Sequence, residues 1–320
     1  MRLEVIGLGF RGGDEPAIAV ADPGDGCRGN CSFAEFHFPL PKAASLQAVP
    51  PRALLSLLDA GSMRYLRDRP NPARRQFFAC QGLDPGRIVG MELHHTRRLK
   101  IVERRAVGGG AWGESGDGEE IDADDLPGED AGDGGPDGAE GRDGIVFVPT
   151  VGSVAAPRAF AFPGLAPSPR PVAATVTVAD CMPIWLWDAD SGAWGILHSG
   201  WKGTGILDHA VRAILERCGG SPATISAILG PAIGVCCYDV PPTRAAIFEN
   251  EFGAECVDRS GLRPRLDIRA ANLAIARRLD IGAVLSVDAC TSCDSSLGSY
   301  RREGAAGFTR MVAACVPVGA

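Results

Sequence analysis

Histidine is scarce in this chain, five in 320 residues, so any imidazole chemistry draws on a short roster. Aromatic residues are few as well, at 6% with three tyrosines. No run approaches the roughly 18 consecutive apolar residues that a membrane span requires. The opening Met1-Arg2-Leu3-Glu4-Val5 sets an acid where a secretion signal keeps an apolar stretch. These absences predict a cytoplasmic protein with no membrane partner. Positive charge is in deficit, with 32 Lys and Arg against 39 Asp and Glu and a net charge of −7. No global field therefore gathers nucleic acid, and none is expected as a partner. A regular cysteine framework is missing too: the eleven cysteines are odd in number and irregularly spaced. They read as reduced thiols, some of them ligands, rather than disulfides.

What is present suffices for a sizeable core. Hydrophobic residues make up 45%, while 42 glycines and 24 prolines punctuate the chain with turns. Short β-like runs occupy Arg2–Ile6, Ala17–Ala21 and Phe33–Phe38. The Gly7-Leu8-Gly9-Phe10-Arg11-Gly12 string matches a dinucleotide fingerprint in form only, because no helical pattern follows it. Asn71-Pro72 reads as an N-cap and first helical residue, predicting a helix to about Gln81. Arg87–Leu93 reads as a strand that delivers His94 and His95. Residues 107–144 are acidic and glycine-rich without apolar period, which predicts a disordered surface insert. A Pro-rich insert covers about 151–171.

Beyond residue 173 the pattern is regular. Strands are expected at Ala174–Trp187, Ala193–His198, Ile225–Leu229, Ala283–Val287 and Thr309–Val316. Helices are expected at Ile206–Cys218, Thr243–Phe252 and Asp267–Leu279, the last capped by Asp267. Strands and helices mix without a strict βαβ rhythm, so α+β with a mixed sheet is the expected class.

The spacing of the first two of these strands carries the chemistry. Pairing Trp187 with Gly192 across a four-residue loop sets Cys181 directly opposite His198. Their Cα atoms would then lie roughly 4.5–5.5 Å apart, with both side chains on one face. Such a pair suits a shared metal or a thiolate–imidazolium couple. A catalytic zinc usually takes three protein ligands and leaves a fourth position open. His94 or His95 is the best third ligand, and only one of them can reach, because neighbours on a strand face opposite ways. Cys290-Thr291-Ser292-Cys293 has metal-site spacing but no evident second pair. The adjacent Cys236 and Cys237 are expected to point apart and simply pack.

Ala179-Asp180-Cys181-Met182-Pro183, Leu197-His198-Ser199-Gly200-Trp201-Lys202-Gly203, the Gly230–Tyr238 stretch, Cys290-Thr291 and Ser299-Tyr300-Arg301-Arg302 together resemble the motifs of the laccase-domain proteins. These are also called multicopper polyphenol oxidases, purine nucleoside phosphorylases or peptidoglycan editing factors. The resemblance is ordered over about 173–316 and weaker over 70–105, where Glu92-Leu93-His94-His95-Thr96 resembles the family's Gln-Val-His-Gly-Thr. It implies a single domain over residues 1–320 with an α-β-β-α layered core, and it selects His94 as third ligand beside Cys181 and His198. It also implies zinc, phosphorolysis of adenosine, inosine, guanosine and methylthioadenosine, and adenosine deamination, with purine nucleosides and phosphate as small-molecule partners. Four departures bear on substrate choice. The family's early Thr-Arg-x-Gly-Gly-Val-Ser motif is not evident, Gly61–Tyr65 replaces its Asn-x-Gly-Asp stretch, His95 stands where a glycine usually follows the ligand histidine, and the inserts at 107–144 and 151–171 are long.

Counting separates the family's names. A four-copper laccase needs roughly ten histidines, more than a single His₂Cys copper centre requires, so five exclude it. A single copper in the same ligand set, with Met182 nearby, remains a lesser alternative to zinc. For phosphorolysis, Arg301 is the expected catalytic cation beside Cys181 and His198, with Tyr300, Arg302, Lys202 and Arg64 as substrate or phosphate contacts. The competing readings are amide hydrolysis of a peptidoglycan precursor, with Cys181 as nucleophile or zinc hydroxide as attacker, and a metal-holding interaction protein without turnover.

Overall fold

The computed structural model describes residues 1–6, 18–21, 31–45, 48–65, 70–85, 88–91, 93, 95–107, 111–114, 142–149 and 173–318. Two mixed β-sheets dominate. The larger runs in the order β1 (Arg2–Ile6), β15 (Ala283–Val287), β12 (Ile225–Leu229), β10 (Met182–Asp188), β11 (Trp194–Ser199), β8 (Gly144–Pro149), β6 (Leu99–Val107), β7 (Ala111–Glu114). The smaller runs β2 (Ile18–Ala21), β3 (Phe33–Phe36), β4 (Arg52–Ser56), β16 (Met311–Val316), β9 (Ala173–Val178), β5 (Ile88–Gly90). Parallel pairs (β1–β15, β12–β15, β6–β8, β5–β9) sit among antiparallel ones. A ribbon of β13 (Val257–Asp258) and β14 (Arg265–Leu266) stands apart.

Side-chain alternation along β10 explains how the layers stack. Trp185 and Trp187 point to the space between the sheets, where they meet Phe36 and Phe38. Ile184 and Leu186 point the other way, onto α2 (Ile206–Cys218) and α4 (Ile268–Arg278). A buried aromatic withdraws about 150–250 Å² from water, roughly 4–6 kcal/mol at about 25 cal/mol per Å². The Trp185 Nε1–H donates to the Ala314 carbonyl at 2.8 Å, so this polar edge is satisfied across the inter-sheet space. On the far side, α1 (Pro72–Cys80) lays Phe77 and Phe78 against Leu54, Val312 and Ala314. Helices therefore cover the outer faces of both sheets, the expected α-β-β-α layering of an α+β fold.

Helix ends follow their sequence signals. The Asn71 side chain accepts from the Arg74 amide and that of Asp267 from the Ala270 amide, the latter at 2.8 Å. Gly219, at positive φ, closes α2. The remaining long helix, α3 (Pro242–Phe252), starts one residue before the expected Thr243.

Three expectations are corrected. The stretch 174–187 is not one strand: β9 belongs to the smaller sheet and β10 to the larger, and Ala179-Asp180-Cys181 is the crossing between them. The insert begins and ends in strands, since Leu99–Val107 pairs with Ala111–Glu114 and with the strand that starts at Gly144. Tyr300–Glu303, for which no element was expected, is a short helix, α5, capped by Ser299. Residues 115–141 and 151–171, and the Gly7–Gly12 string, lie outside the described residues. Nine described cysteines are free thiols, while Cys80 is disulfide-bonded, against the expectation of reduced thiols throughout. Among the described residues no helix is long and apolar enough to cross a membrane.

Candidate functional site

The β10–β11 register differs from the expected one. Trp187 pairs with Trp194, and His198 lies opposite Pro183, two residues along from Cys181. The turn takes in Asp188–Ala193 because the Asp188 carboxylate binds the Ser191 amide and Gly192 adopts a positive φ of 76°. An even shift leaves faces unchanged. Cys181 keeps the parity of Trp185 and Trp187, and His198 that of Trp194 and Ile196, at the end of the inter-sheet layer where the chain crosses between sheets.

Cys181, His198 and His95 come together there, with their ligand atoms all within 4.8 Å of one another. His198 is buried, Cys181 half-buried and His95 exposed, so the cluster opens to solvent on one side. The resemblance selected His94; that residue lies outside the described residues, and the imidazole found beside Cys181 and His198 is that of His95. Its backbone is left-handed, at φ 57°. This is the conformation a glycine takes without cost and other residues adopt at roughly 1–2 kcal/mol. The His95 amide offsets part of that cost by donating to Asp143 Oδ1 at 3.0 Å.

Asp143 is the residue the sequence reading missed. It precedes β8, and since Leu197 pairs with Gly144, the next step of the ladder brings His198 to Asp143. The His198 amide donates to the Asp143 carbonyl at 2.7 Å, and His198 Nδ1 meets Asp143 Oδ1 at 2.9 Å. The other carboxylate oxygen takes the Thr96 amide at 2.5 Å and its hydroxyl at 2.7 Å. One fully buried carboxylate thus fixes the ring of His198 and the backbone that carries His95. With Nδ1 engaged, Nε2 of His198 is the nitrogen left for a ligand.

The electrostatics follow from these contacts. Burial would raise the Cys181 thiol, but the facing His198 charge and hydrogen bonds from His198 and His95 outweigh it and bring it down to about 6. Burial disfavours a charged His198, yet the Cys181 thiolate and the Asp143 carboxylate push it up to about 10. Asp143 is held below the usual carboxylate range, its burial more than offset by His198 and Thr96. Without a metal these contacts favour the thiolate–imidazolium form of the pair. Gly200 fits this close packing: a Cβ there would stand 2.7 Å from Cys181 Sγ.

Asp180 ties the surrounding loops to the thiolate. It accepts from the Thr291 and Ser299 hydroxyls, both at 2.7 Å, and from the Arg301 amide at 2.8 Å. The Arg301 guanidinium lies 5.8 Å from the Tyr238 ring centre and donates to the Asp239 carbonyl at 3.1 Å. Burial and then the Cys181 charge push the Tyr238 phenol up to about 12, with Arg244 and Arg301 opposing. Arg244 in turn stacks 4.4 Å over the Trp201 ring. Arg301, Tyr238, Arg244 and Trp201 therefore gather beside the cluster; Arg244 carried no local sequence signal.

The other predicted contacts are placed differently. Arg302 braces the loop, donating to the carbonyls of Thr291, Asp294 and Leu297 and to Glu303, so its guanidinium is committed within the protein. Tyr300 is half-exposed and packs edge-on against Phe308. Lys202 is exposed, its ammonium 5.6 Å from the Trp201 ring. Arg64 is exposed below α1, where its charge bears on Arg310. Cys236, Cys237, Cys290 and Cys293 converge, against the expectation that the first two point apart. Cys236 and Cys237 lie in a turn, where neighbouring side chains need not oppose each other as they do in a strand.

Comparison with known proteins places this arrangement. A family model described as multi-copper polyphenol oxidoreductase laccase matches residues 150–317, just over half of the chain. The mouse protein named purine nucleoside phosphorylase LACC1 is 34% identical over 156 residues, 45% of this chain and 35% of that protein. A purine nucleoside phosphorylase of Corynebacterium glutamicum is 35% identical over 140 residues, 43% of this chain and 56% of that one. The chain thus spans between about a third and just over half of the length of these relatives. Among solved structures, YlmD from Geobacillus stearothermophilus superposes with a TM-score of 0.58 at 21% identity, over 88% of this chain and 98% of that one. The Neisseria meningitidis protein NMB0706 gives 0.57 at 22% identity, over 88% and 99%. At these identities the structural likeness carries the fold. The chain belongs to the multi-copper polyphenol oxidoreductase laccase family.

Proposed function

We propose that this protein is a zinc-dependent purine nucleoside phosphorylase acting on adenosine, inosine, guanosine and methylthioadenosine, with adenosine deamination as a second activity at the same site. The observation that carries the reading is the Cys181/His198/His95 cluster, open to solvent and flanked by Arg301, Arg244, Tyr238 and Trp201. The names of the mouse and C. glutamicum relatives support it. One thiolate and two imidazoles form a donor set that suits zinc and leaves a position for substrate. Zinc, when bound, supplies a Lewis acid that polarises an oxygen ligand near neutral pH. Copper is the weaker choice: Met182, its candidate axial donor, is fully buried in the apolar layer under α2.

In phosphorolysis a phosphate oxygen attacks the ribose anomeric carbon. The bond to the purine nitrogen breaks, its electron pair stays on the base, and the base takes up the proton that the hydrogen phosphate brings. The products are free base and ribose 1-phosphate, or 5-methylthioribose 1-phosphate from methylthioadenosine. Arg301 and Arg244 supply guanidinium contacts for the anion, and Lys202 adds charge at the rim. Tyr238, whose phenol stays protonated at neutral pH, donates a hydrogen bond. Trp201 and Tyr238 offer aromatic faces to the purine. His198, locked on Asp143, holds Cys181 as thiolate.

A second reading has an observation of its own. Cys181, His198 and Asp143 stand in the order of a nucleophile, a base and an orienting carboxylate. That arrangement favours amide hydrolysis of a peptidoglycan precursor through a thioester. Incubating zinc-loaded protein with adenosine, with and without phosphate, separates the chemistries. Adenine and ribose 1-phosphate should form only with phosphate, and inosine in either case. No turnover of nucleosides, together with hydrolysis of a muramyl peptide, would overturn the first reading.

A further inference from the structure

The four cysteines away from the candidate active site form a second centre. Cys236 and Cys237 lie in the turn that follows Gly234, and Cys290 and Cys293 in the turn that follows β15. The two turns are laced together: Ala232 bridges Cys290 in parallel, and the Thr291 amide donates to the Ala232 carbonyl at 3.1 Å. All four Sγ atoms lie within 4.8 Å of one another, with Cys236–Cys293 at 3.7 Å and Cys237–Cys293 at 3.4 Å. Tetrahedral zinc with Zn–S bonds of about 2.3 Å sets its sulfurs about 3.8 Å apart. A disulfide would require about 2.05 Å and would join only two of them; all four are free thiols.

Two further features suit a metal–thiolate centre. Cys290 Sγ accepts the Gly234 amide at 3.2 Å, so a backbone donor faces a sulfur that carries charge when ligated. Gly234 leaves the room this needs, because a Cβ there would meet Cys290 Cβ at 3.1 Å and Cys236 Sγ at 3.2 Å. Cys236 and Cys293 are exposed and Cys237 and Cys290 half-buried, so an ion can enter from solvent.

We propose that Cys236, Cys237, Cys290 and Cys293 bind one zinc ion as a tetrathiolate centre separate from the Cys181 cluster. A closed four-sulfur shell leaves no position for substrate, so this zinc is structural. It staples the turn that leads into Tyr238 to the loop that Thr291 and Arg302 connect to Asp180 and Arg301. Its role is to position Tyr238 and Arg301 beside Cys181. The proposal holds whatever reaction the Cys181 site performs.

Metal analysis of the purified chain tests it. Wild type should carry about two zinc equivalents, Cys181→Ala about one, and the Cys236→Ser/Cys293→Ser variant about one. The last should also lose much of its resistance to thermal unfolding in the presence of zinc. If that variant does not fold, cobalt(II)-loaded Cys181→Ala protein decides: it should show intense sulfur-to-cobalt charge transfer and a tetrahedral visible spectrum. Two zinc equivalents in the double variant would overturn the proposal. So would a cobalt spectrum without thiolate bands, iron in place of zinc, or disulfides among these cysteines in protein purified under reducing conditions.

Discussion

Cys181→Ala should abolish nucleoside cleavage, lowering kcat/KM by roughly a thousandfold or more, and should remove the metal from the open centre. Cys181 is one of three converging donors, and two imidazoles alone hold zinc poorly. A thousandfold is about 4 kcal/mol of lost transition-state stabilisation, the scale expected when a main electrostatic contributor is removed. The fold should survive. Cys181 is half-buried and follows a bend, and His198 keeps its tie to Asp143. Circular dichroism should therefore match wild type while product formation and one zinc equivalent are lost together. Unchanged zinc content with lost turnover would point instead to Cys181 as a nucleophile.

Asp143→Asn should reduce zinc affinity at this centre, and activity with it, by roughly 10- to 100-fold, the usual effect of removing the carboxylate behind a ligating histidine. The amide is nearly isosteric, but its NH₂ group cannot accept from the His198 ring or from the Thr96 and His95 amides that the carboxylate now satisfies. Leaving a buried donor unmatched costs about 1–3 kcal/mol, so the unfolding midpoint should fall as well. A pH profile separates positioning from general destabilisation. In zinc-free wild-type protein, alkylation of Cys181 should follow a thiol titrating near 6. Removing the Asp143 charge makes His198 less basic, which weakens its support of the thiolate. The Cys181 profile should then move up, towards the ordinary thiol value of 9.0. A merely structural Asp143 would leave that profile in place.

The legible and hidden parts of the molecule divide along physical lines. Helices α2 and α4 could be read because their ends are local events: Gly219-Gly220 after Cys218, and Asp267 before Ile268. The hairpin partners could be read as well, since two apolar runs flank the polar Asp188–Ser191 stretch. Its register was harder, because turn length depends on how Asp188 bonds to Ser191, which strand pattern does not report. Asp143 was hidden by company. It ends an acidic, glycine-rich tract whose composition argues for disorder, and only the Gly144–Pro149 run behind it signals that a strand has begun. The four-cysteine centre was hidden by distance, since no local pattern links the turn after Gly234 to the turn after β15. Reading Cys236-Cys237 as extended backbone made the pair look incompatible with one ion. Arg302 was read from its motif as an anion contact; what the motif does not report is that its two terminal nitrogens donate to carbonyls of its own loop.

The most direct test of the central claim is an anomalous difference map, at the zinc edge, from crystals of the zinc-loaded protein. It should place a peak among Cys181 Sγ, His198 Nε2 and the His95 ring, with Asp143 still on His198 Nδ1. No peak at that position, or an ion held without Cys181 or with His94 in place of His95, would contradict the account.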